Sequence, residues 1–408
     1  MKIGATIYFD HQATTPLDSQ VFDAMRPYFA EGFGNPHSSD HAVGWRAAHA
    51  VDRAAADVAA MIGSDSDEII FTSGATEANN LALIGLARRA AGGSRNRILL
   101  GATEHKCILE IGRIVRDELG FAVSHLPVDT AGRIDLTALE DTLDDDVLLV
   151  SVMAANNEIG TLQDIPAIAR LASRRGVLLH CDGAQAPGAM DLSEFAQHVD
   201  MLSLSGHKMY APMGIGALYV RRDLQSRIAP VIHGGGQQNG LRSGTLPTAL
   251  CVGLGAAARL IVENEGGDAR AALASRRDSF LQRLQTLPVA IWTNGPEDLG
   301  YRHPGNLNVG FKGIAASDLL GRMQPRLAAS TGSACASGFP EPSHVLRAIG
   351  LTEEEATSSV RFSIGRYTTD DDVDEAMAIL RSAIEDLQDS GLMDALSHRK
   401  SVLGEAAT

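Results

Sequence analysis

The chain has 408 residues, 45% hydrophobic and 21% charged, with a formal net charge of -15. That length buries a large core in more than one domain, and the acidity argues against a nucleic-acid or anionic-membrane surface. No apolar run approaches the roughly 20 residues of a membrane span, and the start MKIGATIYFDHQATT lacks the basic-then-apolar plan of a secretory signal, so a cytoplasmic protein is expected.

In chain order, residues 41–63 read as a helix stopped by Gly63. From Ser64 to Val220 short β-rich runs alternate with helical ones: EIIFTS, then ATEANNLALIGLARRAA; RILLGA, then HKCILEIGRIVRDEL; VLLVSVMAAN, then IPAIARLASRRG; then VLLHCD and MLSLSG. This rhythm predicts an α/β fold whose mainly parallel sheet lies between helices. Ligands of such sheets bind beyond the carboxyl ends of the strands. The polar residues at those exits are 72–76, Glu104-His105, Asn156-Asn157-Glu158, 182–185 and 205–208. A helical stretch over 248–287 reads as a bridge to a second style of sequence. Strand-like NLNVGF and VRFSIGR, the loop TGSACASG and a helix from Asp370 make a smaller α+β domain, joined by the N-terminus. The division expected is 14–260 for the large domain, and 1–13 with 261–408 for the small one.

Several residue patterns point to chemistry. Ser73-Gly74-Ala75-Thr76 opens a helix after a strand, where small residues let backbone N–H groups reach a phosphate or serve as an ordinary cap. Neither a P-loop nor a dinucleotide fingerprint is present. Asp182 ends an apolar strand, where it either caps a helix or faces a cation such as a protonated ring nitrogen; Gln185 reaches the same ligand or completes a cap. His105 either stacks on a flat ligand and moves protons near neutral pH or sits at a helix start. Lys208, behind LSLSGH, either snorkels to water or is desolvated into a nucleophile. His37 and His41 lack a third ligand, and no metal is assigned. The four cysteines show no CxxC spacing, which argues against disulfides and structural zinc. Cys107, Cys181 and Cys251 read as small core residues, whereas Cys335 lies in a glycine-flanked loop of small residues that suits a reactive thiol. Arg361 either clamps a carboxylate or makes a structural ion pair. Residues 234–245 form a donor-rich loop able to reach a phosphate in its own or a neighbouring subunit.

Together, a phosphate cradle, a strand-end aspartate and Ser-x-His-Lys are what a pyridoxal-phosphate enzyme needs. From Tyr8 to Gln388 the sequence resembles the cysteine desulfurases of fold type I, class V aminotransferase relatives, in the branch with a longer, mobile catalytic-cysteine loop. The motifs are Thr72-Ser73-Gly74-Ala75-Thr76-Glu77, Asn156-Asn157-Glu158-Ile159-Gly160, Ser205-Gly206-His207-Lys208, Arg242-Ser243-Gly244-Thr245, Gly332-Ser333-Ala334-Cys335 and Arg361-Phe362-Ser363-Ile364-Gly365-Arg366. The resemblance implies a seven-stranded large-domain sheet and pyridoxal 5'-phosphate held covalently by Lys208. It assigns Ala75, Thr76, Ser205 and His207 to the phosphate, Asp182 to the pyridine nitrogen and Gln185 to the phenolic oxygen. Asn157 meets the ring edge and His105 stacks on the ring. Thr245 reaches the phosphate of the other subunit in a homodimer, and Arg361, with Asn157, holds the substrate carboxylate. It further implies that L-cysteine becomes L-alanine while Cys335 takes the sulfur as a persulfide and hands it to a protein acceptor. The destination is left open among iron-sulfur clusters, tRNA or DNA thiolation and other thiocofactors. Other readings are a selenocysteine lyase or related lyase, and a non-catalytic sulfur-relay subunit. The sequence departs from the family at Gly183, usually alanine, at Met213, often lysine, and at Gln237-Gln238-Asn239, which lacks a Glu-Arg pair.

Overall fold

The computed structural model describes residues 1–264, 266–332 and 342–389. Seven strands form one sheet in the spatial order Ile69–Thr72, Gly216–Val220, Met201–Ser205, Leu178–Asp182, Val147–Ser151, Arg97–Gly101 and Ala122–Leu126. Gly216–Val220 runs antiparallel to both neighbours, and the remaining pairings are parallel. Ile69–Thr72 therefore points the same way as Met201–Ser205, and the strand exits that carry polar residues all open on one edge.

Alternation explains why the sheet is covered on both faces. Leu202 and Leu204 join one apolar cluster and Met201 the other; Ile69 and Phe71 join the first and Ile70 the second. Helices Ala42–Ile62, Ile165–Arg174 and Thr248–Asn264 pack into the first cluster, and Ala75–Ala90 and Lys106–Leu119 into the second. Each such fully buried Leu, Ile or Phe contributes about 1.5–3 kcal/mol. Gly63 ends Ala42–Ile62 as expected, with φ +73°, and a Cβ there would meet the Ser193 carbonyl at 2.2 Å.

A smaller antiparallel sheet of Ile291–Asn294, Asn306–Phe311 and Ser359–Ser363 carries its own core around Phe280, Phe311 and Phe362. Ile7 and Phe9 of the N-terminal segment join this core, and the Phe9 ring meets Phe280 edge-on at 5.5 Å. Thr6–Tyr8 also pairs in parallel with Leu327–Ala328. The helical stretch expected over 248–287 is two helices, Thr248–Asn264 and Gly267–Leu284. Consecutive glycines, Gly266 and Gly267, have the weakest helix propensity short of proline, and Gly266 sits at the cap of the second helix.

Candidate active site

The strand Met201–Ser205 delivers Lys208 through a single 3-10 turn, Gly206–Lys208. The Lys208 Nζ donates to the carbonyls of Gln12 at 2.5 Å and Ala13 at 2.7 Å. Burial pulls its pKa down from 10.5 to about 8, with Arg361 adding to the depression while Asp10 and Asp182 oppose it. The lysine is thus the desolvated kind rather than a snorkelling one. The next strand, Leu178–Asp182, ends in Asp182, which is only 4% exposed. Its Oδ1 accepts from the Ala184 N–H at 2.9 Å and its Oδ2 from Asn79 Nδ2 at 2.8 Å. One oxygen therefore caps a turn, but no helix starts there: the next helical element after Leu178–Asp182 is the 3-10 turn Phe195–Gln197, so the helix-cap reading is not met. The carboxylate makes no ion pair among the described residues, although an unpaired buried charge is costly.

Lys208 and Asp182 line one cavity of about 430 Å³. Ala75, Thr76, Ser205 and His207 line the same space, as do His105, Asn157 and Gln185. Ala75 begins the helix Ala75–Ala90, whose first N–H groups have no intrahelical acceptor. Gly74 precedes it at φ +148°, and a Cβ on Gly216 would meet the Gly74 Cα at 2.7 Å, so both positions need glycine to bring this helix start to the sheet. His207 Nδ1 lies 3.1 Å from Thr14 Oγ1, and burial followed by the charge of Lys208 lowers its pKa to about 4. The His207 ring is therefore neutral near pH 7. His105 caps the helix Lys106–Leu119, its Nδ1 accepting from the Cys107 N–H at 3.1 Å, while its exposed ring reaches the cavity. Gln185 Nε2 donates to the Gln12 carbonyl at 3.0 Å.

Asn156 builds the loop that presents Asn157. It is fully buried, its Nδ2 donates to the Thr103 carbonyl, and its Oδ1 accepts the N–H groups of Glu158 and Ile159. Arg361, 3% exposed, donates from Nη1 to the Asn157 carbonyl at 2.7 Å and from Nη2 to Asp10 Oδ1 at 2.7 Å and Ser330 Oγ at 2.9 Å. The structural ion pair is present, and it sets Arg361 beside Asn157. Thr245 is exposed and does not line the cavity. Its loop is fastened by Arg242 Nε to Glu77 Oε1 at 2.8 Å, and Glu77 also accepts the Ser73 N–H. Cys335 lies outside the described residues.

One expectation is corrected. Cys181 and Cys251 are buried core residues, but Cys107 is half-buried and lines the cavity, with its Sγ 3.2 Å from Asn79 Nδ2. Burial and the nearby Asp182 push its pKa up to about 12, so it is a neutral thiol. Sequence reasoning missed Asn79, which orients Asp182, and Asp10, which pairs Arg361. It also missed the Gln12 and Ala13 carbonyls under Lys208; no short-range pattern marks any of them. Glu104, next to His105, is 1% exposed, and burial reinforced by Asp182 holds its carboxyl well above the ordinary range. His41 caps Ala42–Ile62, accepting from the Gly44 N–H. Among the described residues no group of three His, Cys, Asp or Glu is placed to hold a metal ion, and no helix is long and apolar enough to cross a membrane.

The chain matches the aminotransferase class-V family over residues 7–376. It is 46% identical to the cysteine desulfurase IscS of Rickettsia bellii, over 94% of this chain and 92% of that protein. A solved NifS-like protein superposes with a TM-score of 0.86 at 33% identity, covering 93% of this chain and 99% of the other. The structure of SspA in complex with cysteine gives 0.77 at 35% identity, covering 89% and 100%.

Proposed function

The chain belongs to the class-V aminotransferase family and is a pyridoxal-phosphate-dependent L-cysteine desulfurase, and from that premise we propose how its residues divide the work. The observation that carries the assignment is the shared cavity, in which a desolvated lysine amine faces the same space as a buried carboxylate lacking a cationic partner. A pyridinium nitrogen is the cation that Asp182 lacks, so the donor set fits the cofactor.

In this reading Lys208 holds the cofactor covalently. Ala75, Thr76, Ser205 and His207 take its phosphate, completed by Thr245 of a second copy in a homodimer. Asn157, Gln185 and His105 fix the ring, and Arg361 with Asn157 receives the cysteine carboxylate; the similar SspA structure is a complex with cysteine. When bound, pyridoxal 5'-phosphate supplies an electron sink for the pair left on the substrate α-carbon. Lys208 Nζ, once free, takes the α-proton, and the carbonyls of Gln12 and Ala13 accept the resulting ammonium. Cys335, as thiolate, attacks the cysteine sulfur: an S–S bond forms, the Cβ–S bond breaks, and its electron pair leaves with Cβ, which is protonated to give alanine. A thiolate of a protein acceptor in the cytoplasm then takes the outer sulfur of the persulfide, and Cys335 leaves as thiolate. The division into 14–260 against 1–13 with 261–408 belongs to the same proposal: Gln12 is tied to Asn306 and Ser363 on one side and to Lys208 and Gln185 on the other.

Borohydride reduction of the holoenzyme followed by peptide mass mapping tests the first part. The cofactor is expected on the Lys208 peptide, and its fixation elsewhere refutes the assignment. Brief exposure to L-cysteine without reductant, then alkylation, is expected to add one sulfur to the Cys335 peptide alone. Cys335→Ser is expected to keep the cofactor and make no alanine; a sulfur on Cys107, Cys181 or Cys251 overturns the thiol assignment.

A further inference from the structure

Glu158 is 4% exposed, yet it lines neither the cavity nor an ion pair among the described residues. Its surroundings are the two ends of one segment. Ser343 Oγ donates to Glu158 Oε2, while the same Oγ accepts the N–H groups of Val345 and Leu346 and so starts the helix His344–Ala348. On the other end, Gly332, at φ +88°, turns the position a Cβ would take towards the Glu158 side chain: a Cβ there would stand 3.3 Å from its Cγ and 3.4 Å from its Cβ. Gly332 and Ser343 bracket, in sequence, the stretch that contains Cys335.

Glu158 is itself rigidly set. Its N–H donates to Asn156 Oδ1 at 2.8 Å, and its carbonyl accepts from Asn306 Nδ2 and Asn308 Nδ2, both at 3.1 Å. The two stems have further fastenings. Ser330 is held by Asp10 and Arg361, and His344 Nε2 contacts the Glu104 carbonyl at 2.9 Å. These secure each stem to a different element, whereas Glu158 bonds one stem and stands beside the other, one residue from Asn157 in the cavity wall.

We propose that Glu158 is a positioning residue for sulfur transfer, its carboxylate and methylene groups holding the outgoing and incoming stems together so that Cys335 starts from a fixed base beside the substrate site. The proposal rests on the reading of Cys335 as the sulfur carrier. A nucleophile held at attack distance gains most of its advantage from orientation, so loosening its base lowers the rate of attack without altering cofactor or substrate binding.

The test is single-turnover persulfide formation in the holoenzyme, read by alkylation and mass mapping, beside cofactor absorbance and the spectral change on adding cysteine. Glu158→Ala is expected to slow labelling of Cys335 about tenfold or more while leaving the cofactor content and the half-saturating cysteine concentration unchanged. Glu158→Gln, whose amide oxygen still accepts from Ser343, is expected to recover most of the rate. Ser343→Ala, which keeps Glu158 in place, is expected to slow labelling too, and the double variant to be no slower than Glu158→Ala. Labelling within twofold of wild type in Glu158→Ala or Ser343→Ala overturns the proposal. So does a loss of cofactor or cysteine binding in step with the rate, or a Glu158→Gln variant as slow as Glu158→Ala. A Cys335→Ser control separates the two failures: a persulfide on another cysteine there means the carrier was misassigned, whereas its absence confines any failure to Glu158.

Discussion

Lys208 shows how burial sets reactivity at a single residue. With its pKa near 8, about a tenth of the amine is neutral at pH 7, against about three in ten thousand for a lysine at its ordinary value of 10.5. Cofactor uptake by apoenzyme, which needs the neutral amine, is therefore expected to rise about tenfold per pH unit up to pH 8 and then level. Stopped-flow absorbance after adding pyridoxal 5'-phosphate reads this directly; a rate still climbing at pH 10 contradicts a desolvated Lys208. Asn79 makes the second point. Its Nδ2 is the only side-chain donor to Asp182 among the described residues. Hydrogen bonds to charged groups contribute roughly 1.5–3 kcal/mol, so Asn79→Ala is expected to lower stability by about 2 kcal/mol. Urea unfolding of the apoenzyme measures it, and an unchanged midpoint removes Asn79 from the support of the site.

At the scale of elements, the departure at 237–239 acquires a physical role. Ile69–Thr72 is an edge strand, and Gln238 pairs with it like a further strand, its Oε1 accepting the Phe71 N–H at 2.7 Å and its Nε2 donating to the Phe71 carbonyl at 2.9 Å. A glutamate here accepts the first bond and sets an anion against the Phe71 carbonyl. Gln238→Glu and Gln238→Ala are both expected to lower the urea midpoint, by about 1–2 kcal/mol for the alanine, and equal stability of all three proteins refutes the pairing. Strands and helices differ in how much of this was legible. Ile69–Thr72, Arg97–Gly101, Val147–Ser151, Leu178–Asp182 and Met201–Ser205 read clearly because they are buried on both faces, and the helix start at Ala75 and stop at Gly63 carried local signals. Ala122–Leu126 did not, since at the far edge only Leu126 is buried. Of the site, the residues at strand exits were legible because parallel topology gathers them. Asp10 and Arg361, 351 positions apart, and Lys208 and Gln12, 196 apart, meet only through the packing of the small body, which no local period encodes.

For the whole molecule, acid sensitivity follows from histidines buried as neutral rings in different parts of the fold. His180 lies inside the large sheet between Ser151 Oγ at 2.9 Å and Ser203 Oγ at 3.1 Å, and burial lowers its pKa to about 3. His11, where the N-terminal segment joins the two cores, and His303, ahead of Asn306–Phe311, are each lowered to about 4, again chiefly by burial. The unfolded chain protonates these rings near pH 6.5, whereas the folded one refuses protons until pH 3–4. The unfolded state thus binds more protons throughout that window, and stability falls as pH drops below 6.5. Glu104, Asp57 and Asp200 oppose them, because a carboxyl raised by burial keeps its proton in the fold where the unfolded chain has lost it, whereas His207, lowered to about 4, adds a fourth ring on the side of the histidines. The urea midpoint is therefore expected to decline steadily from pH 6.5 to 4.5, with no corresponding decline between pH 6.5 and 7.5. His180→Gln, which keeps hydrogen-bonding groups near Ser151 and Ser203 and cannot titrate, is expected to reduce the slope by the share of one proton, about 1.4 kcal/mol per pH unit. A slope identical to wild type in that variant shows that His180 already exchanges protons in the folded state, and that the acid sensitivity arises elsewhere.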